Sequence, residues 1–157
     1  MRRLSADLPG LQWSRPSWLR GDYELRAGDE LVATIKVRGL ARRRATVESS
    51  DGTWTLTRCG VSRNGGAIAG FAKSIWRSTG ELTFASGATY TVGTNGWMTR
   101  ADVRNAAGEL LIEFHRRGVQ ILPAARAIPE LFVLVAFAWF HVVMLEEDAS
   151  AAIIFSG

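Results

Sequence analysis

Arginine is the residue type whose abundance and spacing could do chemistry in this chain. The stretch Arg38-Gly39-Leu40-Ala41-Arg42-Arg43-Arg44 brings four guanidinium groups into seven residues, and Arg116-Arg117 form a second pair. A guanidinium presents a planar fork of donors that matches two oxygens of a phosphate at once. Arg38, Arg42, Arg43, Arg44, Arg116 and Arg117 are therefore the candidate anion- or phosphate-binding residues, suited to a lipid headgroup or a nucleic-acid backbone. Strand alternation would put Arg42 and Arg44 on one face and Arg43 on the other, so all three converge only if that stretch is loop. The plainer reading of both stretches is a solvated turn.

The other reactive side chains are sparse. His141 lies inside a long apolar run, where a histidine is usually a neutral core residue with a hydrogen-bond partner, and no second ligand stands at metal spacing from it. His115 falls out of step with the apolar alternation around it and is expected on an exposed face or edge. Cys59, the single cysteine, has no histidine near it in sequence to make a nucleophilic pair, and it excludes an internal disulfide framework. No nucleophile-elbow motif is present, and neither Gly60 nor Gly65-Gly66 is followed by the Gly-Lys-Ser/Thr of a phosphate loop. The expected catalytic and metal-ligand sets are therefore empty, no cofactor is expected, and the chain reads as a non-enzyme.

The chain has 157 residues, 47% apolar and 22% charged, which suits one globular domain with a real core and argues against disorder. Its net charge of +4 is uneven. Residues 1–44 carry ten Lys and Arg against five Asp and Glu, the remainder nine against ten. A basic first third suggests an anionic partner surface, phospholipid or nucleic acid, although a solvated face explains it as well. Met1-Arg2-Arg3 is followed by no apolar stretch of the kind a secretory signal needs, so residence in the cytoplasm, at most peripheral to a membrane, is the expectation.

The elements that must position these groups are mostly short strands. From Asp22 to Arg117 the sequence alternates with a period of two: Leu31, Ala33, Ile35 and Val37 against Val32, Thr34 and Lys36; Leu110, Ile112 and Phe114 against Leu111, Glu113 and His115. Leu82 and Phe84, Tyr90 and Val92, and Trp97, Thr99, Ala101 and Val103 repeat the pattern. Glycines 28, 52, 87 and 108 divide the strands into four hairpins, Gly93-Thr94-Asn95-Gly96 joins two of them, and Arg63-Asn64-Gly65-Gly66 reads as a loop between the second and third. Ahead of them Leu11 to Arg20, with Trp13, Pro16 and Trp18, reads as a segment that crosses and packs on the sheet.

Leu131 to Leu145 is apolar all round, which means a helix either enclosed by protein or spanning a bilayer. Pro129 suits its first position and Glu130 the positive end of its dipole. Fifteen residues reach about 22 Å, whereas a bilayer core needs about 30 Å. Four or more hairpins close a barrel of about ten to twelve strands, which side chains alone do not fill. A central helix does, and modest inward residues such as Ala33, Ala45 and Ala101 leave room for it. The fold expected is thus a mostly β, closed antiparallel barrel: strands over about 22–122, an apolar helix over about 129–146 in the lumen, and a short tail.

Tyr23-Glu24-Leu25 opening the first hairpin, Ser50-Asp51-Gly52-Thr53-Trp54 in the second, and the proline-started run from Pro129 through Leu145 resemble the tubby C-terminal-like superfamily, which includes tubby, the plant LURP-one-related proteins and the phospholipid scramblases. The Arg-rich composition is similar to that of small bacterial members. The resemblance covers roughly Leu11 to Ala149 and implies a twelve-stranded barrel around the helix. It carries over no site residue. No stretch matches the basic phosphoinositide pocket of tubby, and Glu146-Glu147-Asp148 is too short to stand for the acidic calcium-binding segment of scramblases.

Three functions follow as expectations. The first is a non-enzymatic barrel that binds an anionic lipid surface or a protein partner through a basic surface. The second is a single-span anchored protein using residues 128–145. The third is nucleic-acid binding through the arginine clusters, the least favoured partner of the three. With the helix in the lumen, a binding site would lie on the barrel's ends or outer wall.

Overall fold

A computed structural model of the chain describes residues 1–17, 22–39, 44–74, 79–94, 100–115 and 117–156, with side chains of the closing helix through Leu145. Twelve strands form one closed antiparallel barrel in which every strand pairs with its sequence neighbours. They are β1 (Leu11–Ser17), β2 (Asp22–Ala27), β3 (Glu30–Arg38), β4 (Arg44–Ser49), β5 (Gly52–Thr57) and β6 (Gly60–Arg63). The circuit continues through β7 (Gly66–Lys73), β8 (Thr79–Phe84), β9 (Thr89–Thr94), β10 (Arg100–Asn105), β11 (Leu110–His115) and β12 (Gly118–Ile121). A short 3-10 turn, Pro123–Ala125, leads into the helix α1 (Leu131–Ser156).

Alternation builds the wall. Ala33, Ile35 and Val37 of β3, Ala45 and Val47 of β4, and Ala101 and Val103 of β10 are buried. The lumen they line is filled by α1, in which every residue from Leu131 to His141 is buried. That all-round burial is what an all-round apolar helix requires. Aromatic contacts fix it along its length. Phe132 meets Trp54 with ring centroids 5.0 Å apart, Phe137 meets Phe71 at 4.9 Å, and Trp139 stacks on Trp13 at 4.5 Å. Among the described residues no helix is long and apolar enough to cross a membrane. A run already enclosed by strands cannot also face lipid, which removes the reading of residues 128–145 as a span.

The structure corrects several details. Leu11–Ser17 is a strand that closes the ring between β12 and β2, with Trp13 opposite Leu25. Pro16 has no N–H for a ladder, and the register slips between Ser14 and Ser17, where a proline is tolerated. Trp13 faces the core, and Trp18 and Arg20 lie outside the described residues. Arg63-Asn64-Gly65-Gly66 is itself a tight hairpin turn. Asn64 and Gly65 have φ of 52° and 80°, the paired left-handed conformation that Asn-Gly supplies in a two-residue turn.

Val32 and Leu111, assigned by alternation to the outward set, are both fully buried. In each case the register slips by one residue, between Leu25 and Arg26 opposite Val32 and between Val103 and Arg104 opposite Leu111. A bulge admits one unpaired residue and shifts the alternation beyond it. The helix begins at Leu131, after a turn in which Leu131 N–H donates to Ile128 O at 3.3 Å, so Pro129 and Glu130 precede it. It then runs to Ser156 in place of a short tail. Ala149, Ala151 and Ala152 favour helix, and no glycine or proline interrupts before Gly157.

Candidate functional site

An up-and-down ring sorts its connections between two ends. The links β2–β3, β4–β5, β6–β7, β8–β9, β10–β11 and β12–α1 share the end where α1 enters. The links β1–β2, β3–β4, β5–β6, β7–β8, β9–β10 and β11–β12 share the opposite end, toward which α1 runs.

The entrance end is closed. Residues 1–10 lie against it: Arg2 N–H donates to Leu31 O at 2.8 Å, and Leu4, Ala6 and Leu8 pack on the core. Its charges are matched, with Arg2 on Glu30 at 2.8 Å, Arg3 on Asp51 at 3.3 Å and Arg126 on Asp7 at 3.4 Å. Arg63 lies over the Trp54 ring at 4.6 Å and donates to Asp51 O at 2.7 Å. The Tyr90 hydroxyl donates to Glu130 Oε2 at 3.1 Å. Burial, then the Glu130 charge and this bond, push the phenol up to about 12. The basic excess of residues 1–44 is therefore no single surface, because Arg2 and Arg26 are paired with Glu30 and Glu24 and Arg3 with Asp51.

The exit end is different in kind. Its strand ends and connections carry Arg38, Arg44, Arg58, Lys73, Arg100 and Arg117, distributed over five of the six links. All six are exposed. Among the described residues at these strand ends the only carboxylate is Asp22, which accepts from Arg38 at 2.8 Å. Arg38 and Arg44 are register partners that close the β3–β4 hairpin, and alternation points both outward beside the buried Val37 and Ala45. Arg117 sits in the next link but one, across β1 and β2. Arg42, Arg43 and Arg116 lie outside the described residues. Of the six arginines singled out by adjacency, then, three are placed, all at this end. Arg58, Lys73 and Arg100 join them only through topology.

Inside this rim lies a cavity of about 210 Å³. Phe71, Phe137, Phe140 and Met144 form its apolar walls, and Arg58 and Lys73 flank it. Gly80 on the neighbouring strand leaves room for the Phe71 ring, which a Cβ there would overlap. Gly60 begins β6 beside Arg58. Its φ is +145° and a Cβ there would strike the Ala69 carbonyl, so only glycine lets the β5–β6 link turn this tightly. His141 also lines the cavity, 8% exposed and set against the Phe71 and Phe137 rings. Its Nε2 is buried with no hydrogen-bond partner, unlike the satisfied core histidine the sequence suggested. Burial first, then the charges of Lys73 and Arg58, lower its pKa to about 4, so the ring is neutral at pH 7.

A second concavity, about 440 Å³, lies on the outer wall across β8 to β11, among Thr79, Arg100, Asp102, Arg104, Glu113 and His115, so Arg100 of the rim also borders Asp102 and Glu113. Its charges satisfy one another: His115 Nε2 is 3.1 Å from Glu113 Oε2, and Arg104 is 3.6 Å from Asp102. His115 is exposed as expected. Cys59 is a free, exposed thiol. Among the described residues no three His, Cys, Asp or Glu side chains are grouped to hold a metal ion. The chain matches no protein-family model, no curated protein and no solved structure.

Proposed function

We propose that the protein is a non-enzymatic barrel module that docks its exit end on an anionic phospholipid surface. The observation that carries this is the ring of six exposed cations, Arg38, Arg44, Arg58, Lys73, Arg100 and Arg117, around one end. Cations spread round a circle meet a plane of headgroups together, each adding about 1 kcal/mol near an anionic leaflet. A nucleic-acid backbone is better met by a stripe or groove. The sequence places Glu146, Glu147 and Asp148 just past Leu145 in α1, and these acids oppose docking.

Membership of the tubby C-terminal-like superfamily is part of the same proposal. It is supported by the twelve-strand barrel wrapped around an apolar C-terminal helix, the architecture that resemblance implies. No role of any member is carried over to a residue here.

Sedimentation with phosphatidylserine-containing vesicles tests the proposal. Binding is expected at low salt, with a fall of roughly tenfold or more as ionic strength rises through the range where Debye screening sets in. Neutralising the triple acid (Glu146→Gln, Glu147→Gln, Asp148→Asn) should strengthen it. Indifference to the anionic lipid, or preference for duplex DNA over vesicles at equal salt, would refute the lipid reading.

A further inference from the structure

The lumen cavity at the exit end combines three features. Its walls are aromatic and aliphatic, from Phe71, Phe137, Phe140 and Met144. Its flanks are two exposed cations, Arg58 and Lys73, and no ion pair of Lys73 with a carboxylate is present among the described residues. Between walls and flanks stands His141, more than nine-tenths buried, with Nε2 unsatisfied. A buried polar nitrogen without a partner destabilises the fold, a cost that a ligand atom placed opposite it would remove.

We propose that this cavity binds a short alkyl carboxylate, with its chain between Phe71, Phe137, Phe140 and Met144 and its carboxylate turned to Arg58, Lys73 and His141 Nε2–H. The chemistry selects each part. Apolar walls favour an alkyl tail over a sugar or a nucleotide. The two flanking cations favour an anion over an alcohol or an amine. A neutral imidazole can donate one hydrogen bond to a carboxylate oxygen. Size selects the length: a dry apolar cavity of about 150 Å³ takes the six carbons of benzene. At about 210 Å³ this one matches about eight heavy atoms, the size of hexanoate.

This inference does not depend on membrane docking, because hexanoate is a monomeric solute and no vesicle is needed to detect it. Titrations followed by NMR of the His141 ring compare hexanoate, 1-hexanol and hexylammonium on the full chain. Hexanoate should bind at least tenfold tighter than hexanol, hexylammonium more weakly still. The bound carboxylate should also raise the His141 titration above its free value near 4. The Arg58→Glu, Lys73→Glu double variant changes only exposed side chains, so it keeps the core. It should bring hexanoate down to the level of hexanol while leaving hexanol unchanged. Arg38→Glu with Arg117→Glu, neither in the cavity lining nor on a strand beside Arg58 or Lys73, should keep hexanoate binding even where vesicle docking is lost. Equal affinity for hexanoate and hexanol, no binding of any of the three, or hexanoate binding untouched by the double variant would overturn the proposal.

Discussion

The two ends of the barrel are built from the same strands and solve opposite problems. At the entrance, tight hairpins, the first ten residues and the turn before α1 cover the lumen. Cations there meet carboxylates: Arg2 with Glu30, Arg3 with Asp51, Arg126 with Asp7. At the exit, the links carry cations with a single described carboxylate among them, and a cavity reaches an unsatisfied histidine. An end whose cations sit beside carboxylates of the same end has little net charge to offer an anionic partner. An end that leaves a buried nitrogen unsatisfied beside a ring of exposed cations gives up stability for availability.

Between the ends, the helix is common property, and the largest expected effect lies there. Phe137 is 1% exposed at the centre of the lumen. Phe137→Ala should cost about 3–5 kcal/mol in urea denaturation, since the surrounding barrel cannot collapse onto the gap. A cost below about 1 kcal/mol would mean the helix is not enclosed as described.

The next effect sharpens the contrast between a satisfied and an unsatisfied end. The unfolded chain takes up a proton on His141 near pH 6.5, whereas the folded one resists until about 4. The unfolded state therefore holds more protons through that window, and stability falls as the pH drops across it, by about 3 kcal/mol at most. His141→Leu should remove this component, seen as a flatter stability difference between pH 7 and pH 4.5. At the entrance the sign is reversed. Tyr90, with its phenol raised to about 12, contributes stability that is lost as the pH climbs from about 10 through that value.

The smallest effect belongs to the entrance ion pairs. Arg2 and Glu30 are each more than half exposed, so Arg2→Ala should cost less than about 1 kcal/mol of stability, and less again at high salt. A loss above about 2 kcal/mol would show that residues 1–10 hold the barrel shut through this pair.

Much of this architecture is legible in the sequence, for reasons that also explain what is not. Strand periodicity and glycine turns give the barrel, and the all-round apolar run gives its filler. Both are local patterns. Val32 and Leu111 are misassigned because a bulge shifts the alternation by one and leaves no mark in residue type. Leu11–Ser17 is missed as a strand because Pro16 argues against a ladder, and only the slip before Ser17 accommodates it. The exit rim is the least legible feature. Arg38, Arg44 and Arg117 stand out by adjacency, but Arg58, Lys73 and Arg100 come from three other links and join them only when the ring closes. The cavity is hidden likewise, since His141, Phe71 and Arg58 are far apart in the chain.

Two variants of equal net charge test the asymmetry most directly. Arg44→Glu with Arg117→Glu reverses two cations at the exit, and Arg2→Glu with Arg3→Glu reverses two at the entrance. With phosphatidylserine-containing vesicles at low salt, the exit pair should lose binding about tenfold or more, while the entrance pair stays within about twofold of the parent chain. Equal losses from both pairs would show that overall charge, and not the rim, governs docking, and would contradict the assignment of function to one end.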